Sequence, residues 1–333
     1  TATHTHSGPA HYLDAATYNG IASTKLPGFD PNMHAGLARV IAAGLTQAKE
    51  RLRPAVVAWA AGSVAGLTRN RSLDAFRLNV EPRAQVSPRL FEGQGAAMTR
   101  SVGAEIDPEL RVLRVDATRN GERVGALGSI SFFAMHPSVL GPRNRLLSAD
   151  THGVISRVVE EEMRRGEWKS SCVRGDERAS CPQPDPLHAI INTNEGDVAP
   201  IWSDGSLREV ERIGRAVAER VVEAYKKVTT PLPAPAAIAT RYLEVPMRGA
   251  TVSGVERTCD AAELGLPFVH GGGDHPSSFA ILDVFREGRG ADSAGCHSPK
   301  RPFLGPLQAL FNHKTGFAPE VAPLALLQVG ATV

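Results

Sequence analysis

A hairpin-like pair of strands in the middle of this 333-residue chain limits what it can fold into. Arg111–Asp116 alternates apolar and polar residues, as a half-buried strand does, and Ala126–Ala134 forms a second, more apolar run. Gly121–Gly125 supplies the turn between them. Downstream of the pair, helices and strands alternate more loosely. Thr151–Arg165 reads as a helix with Asp150 at its N-cap, and Leu187–Thr193 as a strand. Ser206–Lys227 is a helix carrying Val210, Ile213, Val217, Val221 and Ala224 on one face. The pattern is α/β, but it is too loose for a regular Rossmann winding. It implies a mixed-sheet domain with flanking helices, more than one sheet and long irregular loops.

The outer segments fit that frame. Leu13–Asp30 is polar and reads as loop; Pro31–Arg53 is a helix with Leu37, Val40, Ile41, Leu45, Ala48 and Leu52 at three- and four-residue spacing. Pro54 ends it, Ala55–Val64 reads as a buried strand, and Leu67–Ser72 as an arginine-rich turn. Gly166–Pro186 is an exposed loop, and the Pro/Ala-rich stretch Thr229–Ala237 is a connector that marks a subdomain boundary. Ile238–Met247 is a strand, Arg248–Pro319 is glycine-rich and irregular, and Ala322–Val333 reads as another buried strand.

Charge and cysteines narrow the function class. With 37 basic against 35 acidic side chains and no basic block, nothing marks a nucleic-acid footprint. No apolar run reaches the roughly 18 residues needed to span a bilayer. The cysteines fall into two local pairs, Cys172 with Cys181 and Cys259 with Cys296, both in loop-like surroundings without the C-x-x-C spacing of a zinc ribbon. Disulfides closing surface loops are the simpler assignment, which favours an oxidising compartment.

Candidate chemistry sits at strand ends. Thr1–Tyr12 reads T-A-T-H-T-H-S-G-P-A-H-Y. In an extended chain residues i and i+2 share a face, so the His4 and His6 imidazoles emerge side by side before Gly8 and Pro9 break the strand. His-x-His is a metal-binding arrangement, although a solvated or hydrogen-bonded pair has the same pattern. His136 also ends a strand and precedes Pro137. Arg69 and Arg71 are surface charges or a clamp for a carboxylate or oxyanion. The segment His270-Gly271-Gly272-Gly273-Asp274-His275 lacks the G-K-[ST] of a phosphate loop, so nothing in it marks nucleotide binding.

Taken in order, T-H-T-H-S-G-P, N-R-S-L-D-A-F, F-F-A-M-H-P-S, N-E-G-D-V-A-P, T-C-D-A-A-E-L-G and C-H-S-P-K resemble the neutral, non-lysosomal ceramidases. These are zinc amidases that cleave ceramide to sphingosine and a fatty acid. The resemblance implies that residues 1–333 form part of a catalytic domain, with the family's C-terminal immunoglobulin-like domain absent. It implies Zn2+ as cofactor, with His4 and His136 as metal ligands and His6 as a partner handling a proton or the developing oxyanion. It also implies that Arg71 faces the substrate amide and that Asp274 contacts the substrate's polar head; Asp150 lies in a segment the family shares, but its place before a helix gives it a structural capping role. Two further zinc ligands, a glutamate and a tyrosine, are expected beyond Val333. The implied partner is ceramide or a related N-acyl sphingoid lipid, met with peripheral membrane contact and no nucleic acid. The implied location is secreted, periplasmic or cell-surface.

One departure matters. Where the family's Gly-Asp-Val is normally followed by serine this chain has Ala199, so no serine-centred acyl-enzyme forms there. The alternatives are an amidase using Thr1 as N-terminal nucleophile, or a non-catalytic lipid-binding member of the family.

Overall fold

The computed structural model describes residues 3–13, 28–73, 105–165, 186–228, 231–233, 236–252, 256–277 and 320–330, with short pieces at 281–282, 285, 296–297, 302–303 and 305–307. Thr1, most of the 13–30 loop and the Cys172–Cys181 pair lie outside the described residues. In chain order the main elements are α1 (Pro31–Glu50), β1 (Ala55–Ser63), β2 (Thr68–Asn70), β3 (Glu109–Arg119), β4 (Glu122–Phe133), α2 (Asp150–Arg165), β5 (Leu187–Asn192) and β6 (Val198–Pro200). Then come α3 (Leu207–Lys227), β7 (Ile238–Pro246), β8 (Thr251–Val252), β9 (Glu256–Arg257) and β10 (Val321–Val329). The arrangement is α/β with a mixed main sheet and three small two-stranded ribbons.

The main sheet runs β1-β3-β4-β5, antiparallel except for the parallel β4–β5 pair. The β3–β4 hairpin turns on Asn120-Gly121, both with positive φ (53° and 83°), which suits a two-residue turn twisted like its strands. The turn is therefore tighter than the expected Gly121–Gly125, because Glu122 already pairs with Arg119. A parallel neighbour for β4 needs a crossover, and the stretch containing α2 provides it.

Helices α2 and α3 pack on each other and on the sheet. Ser206 caps α3 by accepting the Glu209 N–H, and the helix buries Val210, Ile213, Val217, Val221 and Ala224 on the face its periodicity marks. They meet Ile155, Val159 and Met163 of α2, Leu110 and Val112 of β3, and Phe133 of β4. Each such aliphatic side chain contributes about 1.5–3 kcal/mol of gross burial energy. The buried Arg114 ties the end of α3 down: its guanidinium donates to Asp116 Oδ2 (2.8 Å) and to the Tyr225 and Val228 carbonyls.

Four expectations change. Residues 3–5 join no strand, and His6-Ser7 is a turn. β1 is an edge strand of the main sheet in which only Ala58 is buried. α1 forms, capped by the Asp30 carboxylate on the Asn32 and Met33 N–H groups, yet none of its residues is buried. Among the described residues β10 pairs only with β7, and most of its side chains are exposed. Cys259 and Cys296 do form a disulfide. Among the described residues no helix is long and apolar enough to cross a membrane.

Candidate metal centre

Three imidazoles from two distant segments converge. His4, His6 and His136 offer ligand nitrogens that all lie within 4.8 Å of one another. Ring centroids are 5.1 Å apart for His4–His6, 4.8 Å for His4–His136 and 5.5 Å for His6–His136.

The local fold explains the convergence. His4 takes a left-handed backbone (φ 63°), uncommon for a residue with a side chain. Its neighbours are anchored. Asn192 Nδ2 donates to the Thr3 carbonyl (2.8 Å), Thr5 Oγ1 to the Ser148 carbonyl (2.7 Å), and the Ser148 N–H to the Ser7 carbonyl (3.0 Å). The histidines thus meet through a kinked, pinned turn and not through strand geometry.

His136 follows β4 directly, and its N–H donates to the Val198 carbonyl (2.9 Å). Its Nδ1 faces two carbonyls, Glu195 O at 2.7 Å and Val198 O at 3.1 Å. Carbonyls only accept, so Nδ1 carries the proton and Nε2 keeps its lone pair for a ligand. Carbonyls holding the far nitrogen of a histidine are what orient metal-ligating imidazoles. Burial, then the Arg71 charge, push the His136 pKa down. His6 is lowered to about 4, first by desolvation among the packed rings and then by His4, His136 and Arg71, although the residue as a whole remains exposed. Neutral imidazole is the form that binds a metal, so this donor set fits a divalent ion of zinc's type.

A second layer surrounds the rings. Arg71 leaves β2 with its N–H on the Asp197 carbonyl (2.8 Å) and its Nε on the Gly196 carbonyl (3.0 Å). Its Nη1 lies 3.6 Å from Asp274 Oδ1. Asp274 is 7% exposed, and its Oδ2 accepts from Ser138 Oγ at 2.7 Å. Burial alone would raise its carboxyl pKa, but the Ser138 bond and the Arg71 charge outweigh it and hold the pKa below the usual value. Asp274 thus lies against Arg71, its carboxylate shared between that guanidinium and the Ser138 hydroxyl. The glycines before it have a reason: a Cβ on Gly272 would sit 3.0 Å from Arg71 Nη1 and 2.6 Å from Asp274 Oδ1.

Sequence reasoning assigns no role to the turn Glu195–Asp197, yet it holds the site together. Glu195 Oε1 is 3.8 Å from His4 Nδ1, and its carbonyl orients His136. Asp197 Oδ2 accepts from Asn70 Nδ2 (2.9 Å), fixing the residue before Arg71. The visible signal is a pair of carboxylates just beyond the end of a strand. Ala199 is buried in β6 opposite Arg69. Asp150 opens α2 with φ 52°, and its carboxylate accepts from the Thr151 and Leu140 N–H groups, so it caps the helix and pins the 139–140 loop together.

Fold and site define a mixed-sheet α/β protein with a histidine-built candidate metal centre. Residues 1–206 match the family described as neutral/alkaline non-lysosomal ceramidase, N-terminal, and the chain belongs to that family. It is 28% identical to a neutral ceramidase of Mycobacterium tuberculosis, an alignment covering 99% of this chain and 50% of the relative. It is 32% identical to a neutral ceramidase of Pseudomonas aeruginosa over 60% of this chain and 23% of that one. A solved ceramidase complexed with C2 shares the fold, with a TM-score of 0.67 at 21% identity over 99% of this chain and 48% of the other. The chain thus spans about half the length of the relatives it matches end to end.

Proposed function

We propose that this chain carries the metal-binding part of a zinc-dependent amidase that hydrolyses ceramide, or a related N-acyl sphingoid lipid, to the sphingoid base and a fatty acid. The observation that carries the reading is the convergence of His4, His6 and His136 beside Arg71, in a chain of the ceramidase family.

His4 and His136 would hold the ion. Bound zinc supplies a water with a pKa near 7 and so a nucleophile at neutral pH. Ala199 offers no hydroxyl, so no serine nucleophile stands at that position, and a metal-activated water is the attacking group in this reading. Arg71, held by the Gly196 and Asp197 carbonyls and by Asp274, places a fixed positive charge for the oxyanion that develops on the amide carbonyl. His6 is neutral at pH 7 and offers one nitrogen to accept a proton and another to donate one, toward the leaving amine. An apolar substrate and a net charge of +2 without a basic block fit a lipid and not nucleic acid. The disulfide fits a secreted, periplasmic or cell-surface setting.

The test is zinc content and ceramide hydrolysis for His4→Ala, His136→Ala and His6→Ala. The first two lose zinc and activity together, and the third keeps zinc and loses about 100- to 1,000-fold in turnover. Full zinc content in His136→Ala overturns the ligand assignment. Activity indifferent to chelator would point to the Thr1 nucleophile instead.

A further inference from the structure

Asn192, the last residue of β5, bonds to both segments that carry the candidate ligands. Its Nδ2 donates to the Thr3 carbonyl (2.8 Å), and its Oδ1 accepts the Met135 N–H (3.2 Å). Thr3 precedes His4, and Met135 precedes His136. One side-chain amide therefore joins the backbones beside two histidines that are far apart in sequence and whose ring centroids lie 4.8 Å apart.

The end of the sheet explains the contact. β4 and β5 pair in parallel as far as Phe133 and Asn192, and the ladder stops there. Met135 lies two residues further on and is fully buried, so its N–H needs a partner within the protein. Asn192 Oδ1 is that partner. The Met135 N–H requires an acceptor and the Thr3 carbonyl a donor, which fixes the way round the amide sits. Aspartate would offer no donor, and leucine neither group. Glu195 also meets both histidines, but at their rings: its carbonyl takes the His136 Nδ1 proton, and its carboxylate is 3.8 Å from His4 Nδ1. Asn192 sets the backbones from which those rings project.

We propose that Asn192 is a positioning residue whose amide fixes the spacing of His4 and His136 and so tightens the centre's hold on a divalent cation. This rests on the metal-binding reading given above. Groups that hold metal ligands from behind are typically worth about 10- to 100-fold in metal affinity.

The experiment is a titration of the metal-free full chain with Zn2+ against a chromophoric chelator, for wild type, Asn192→Leu, Asn192→Ala and His188→Leu. His188→Leu disturbs the same strand but touches neither ligand segment, so it controls for a general loss of stability. Wild type and His188→Leu should bind Zn2+ alike, and both Asn192 variants about 10- to 100-fold more weakly. The visible spectrum of bound Co2+, which reports the geometry around the ion, should change in the Asn192 variants alone. Thermal melts of the metal-free chains check folding, and Asn192→Ala decides the matter if the bulkier leucine does not fold. Wild-type affinity in a folded Asn192 variant overturns the proposal and leaves the metal-binding reading standing. An equal loss in His188→Leu also overturns it, by marking an effect of β5 as a whole. A wild-type chain that binds no Zn2+ overturns both.

Discussion

His188 on β5 lies between two hydroxyls of β4, its Nδ1 2.8 Å from Ser129 Oγ and its Nε2 3.1 Å from Ser131 Oγ. The residue is 6% exposed. Burial pushes its pKa from 6.5 down to about 4, partly opposed by a hydrogen bond to Ser129. Between those values the unfolded chain takes up a proton that the native one refuses. The stability this group contributes is therefore complete above about pH 6.5 and is lost as pH falls toward 4. A shift of this size is worth about 3 kcal/mol, a large share of the 5–15 kcal/mol that holds a typical domain together. His188→Leu removes the titration and lowers stability at pH 7 by about 1–3 kcal/mol through the stranded serine hydroxyls. Urea unfolding from pH 7 to pH 4, on protein stripped of metal, isolates the effect. His152, also lowered to about 4 by burial, is present in both proteins and cancels. The wild-type advantage should fall by about 3 kcal/mol over that range, so that the variant equals or exceeds wild type at pH 4. A gap that stays constant with pH refutes the reasoning.

The site and the hairpin give further expected outcomes. Asp274→Asn keeps a partner for Ser138 but removes the charge 3.6 Å from Arg71, so turnover on ceramide should fall about 10- to 100-fold with zinc content intact. Unchanged steady-state kinetics would deny Asp274 its positioning role. Gly272→Ala forces the new methyl against Arg71 and Asp274, and the same assay should show lower turnover without metal loss. Gly121→Ala puts a side chain at φ 83° and should cost about 1–2 kcal/mol, read from the urea midpoint.

Local periodicity is what the sequence displays plainly. The α3 stripe needs only neighbouring residues to be recognised and emerges where its spacing places it. β3 forms over the expected residues but buries the polar Arg114 and Asp116 beside Val112 and Leu113, so its alternation marks no solvent face. Burial is not local. V-A-P-L-A-L-L-Q-V in β10 reads as core, but among the described residues its only ladder partner is β7, and no layer of them covers most of it. The α1 stripe has the same character: helix propensity and the Asp30 cap form the helix whether or not anything packs against it. At the site, the histidines and Arg71 are visible as residue types. The carbonyls of Glu195, Gly196 and Val198 that aim them are not, because every residue has a carbonyl.

Among the described residues the segment bearing His4 enters no β-ladder, and this sets how an ion would come and go. Residues 3–7 are fastened to the rest of the fold by the bonds to Asn192, Asn144 and Ser148, each worth about 0.5–1.5 kcal/mol. Peeling that segment away costs less than unfolding the sheet beneath His136, so one wall of the site opens while the other stays built. Exchange of a bound ion is then timed by this undocking and not by global unfolding. An ion spanning His4 and His136 would in turn latch the segment shut, so chelation should speed proteolysis near Thr5 while leaving the β3–β4 hairpin protected.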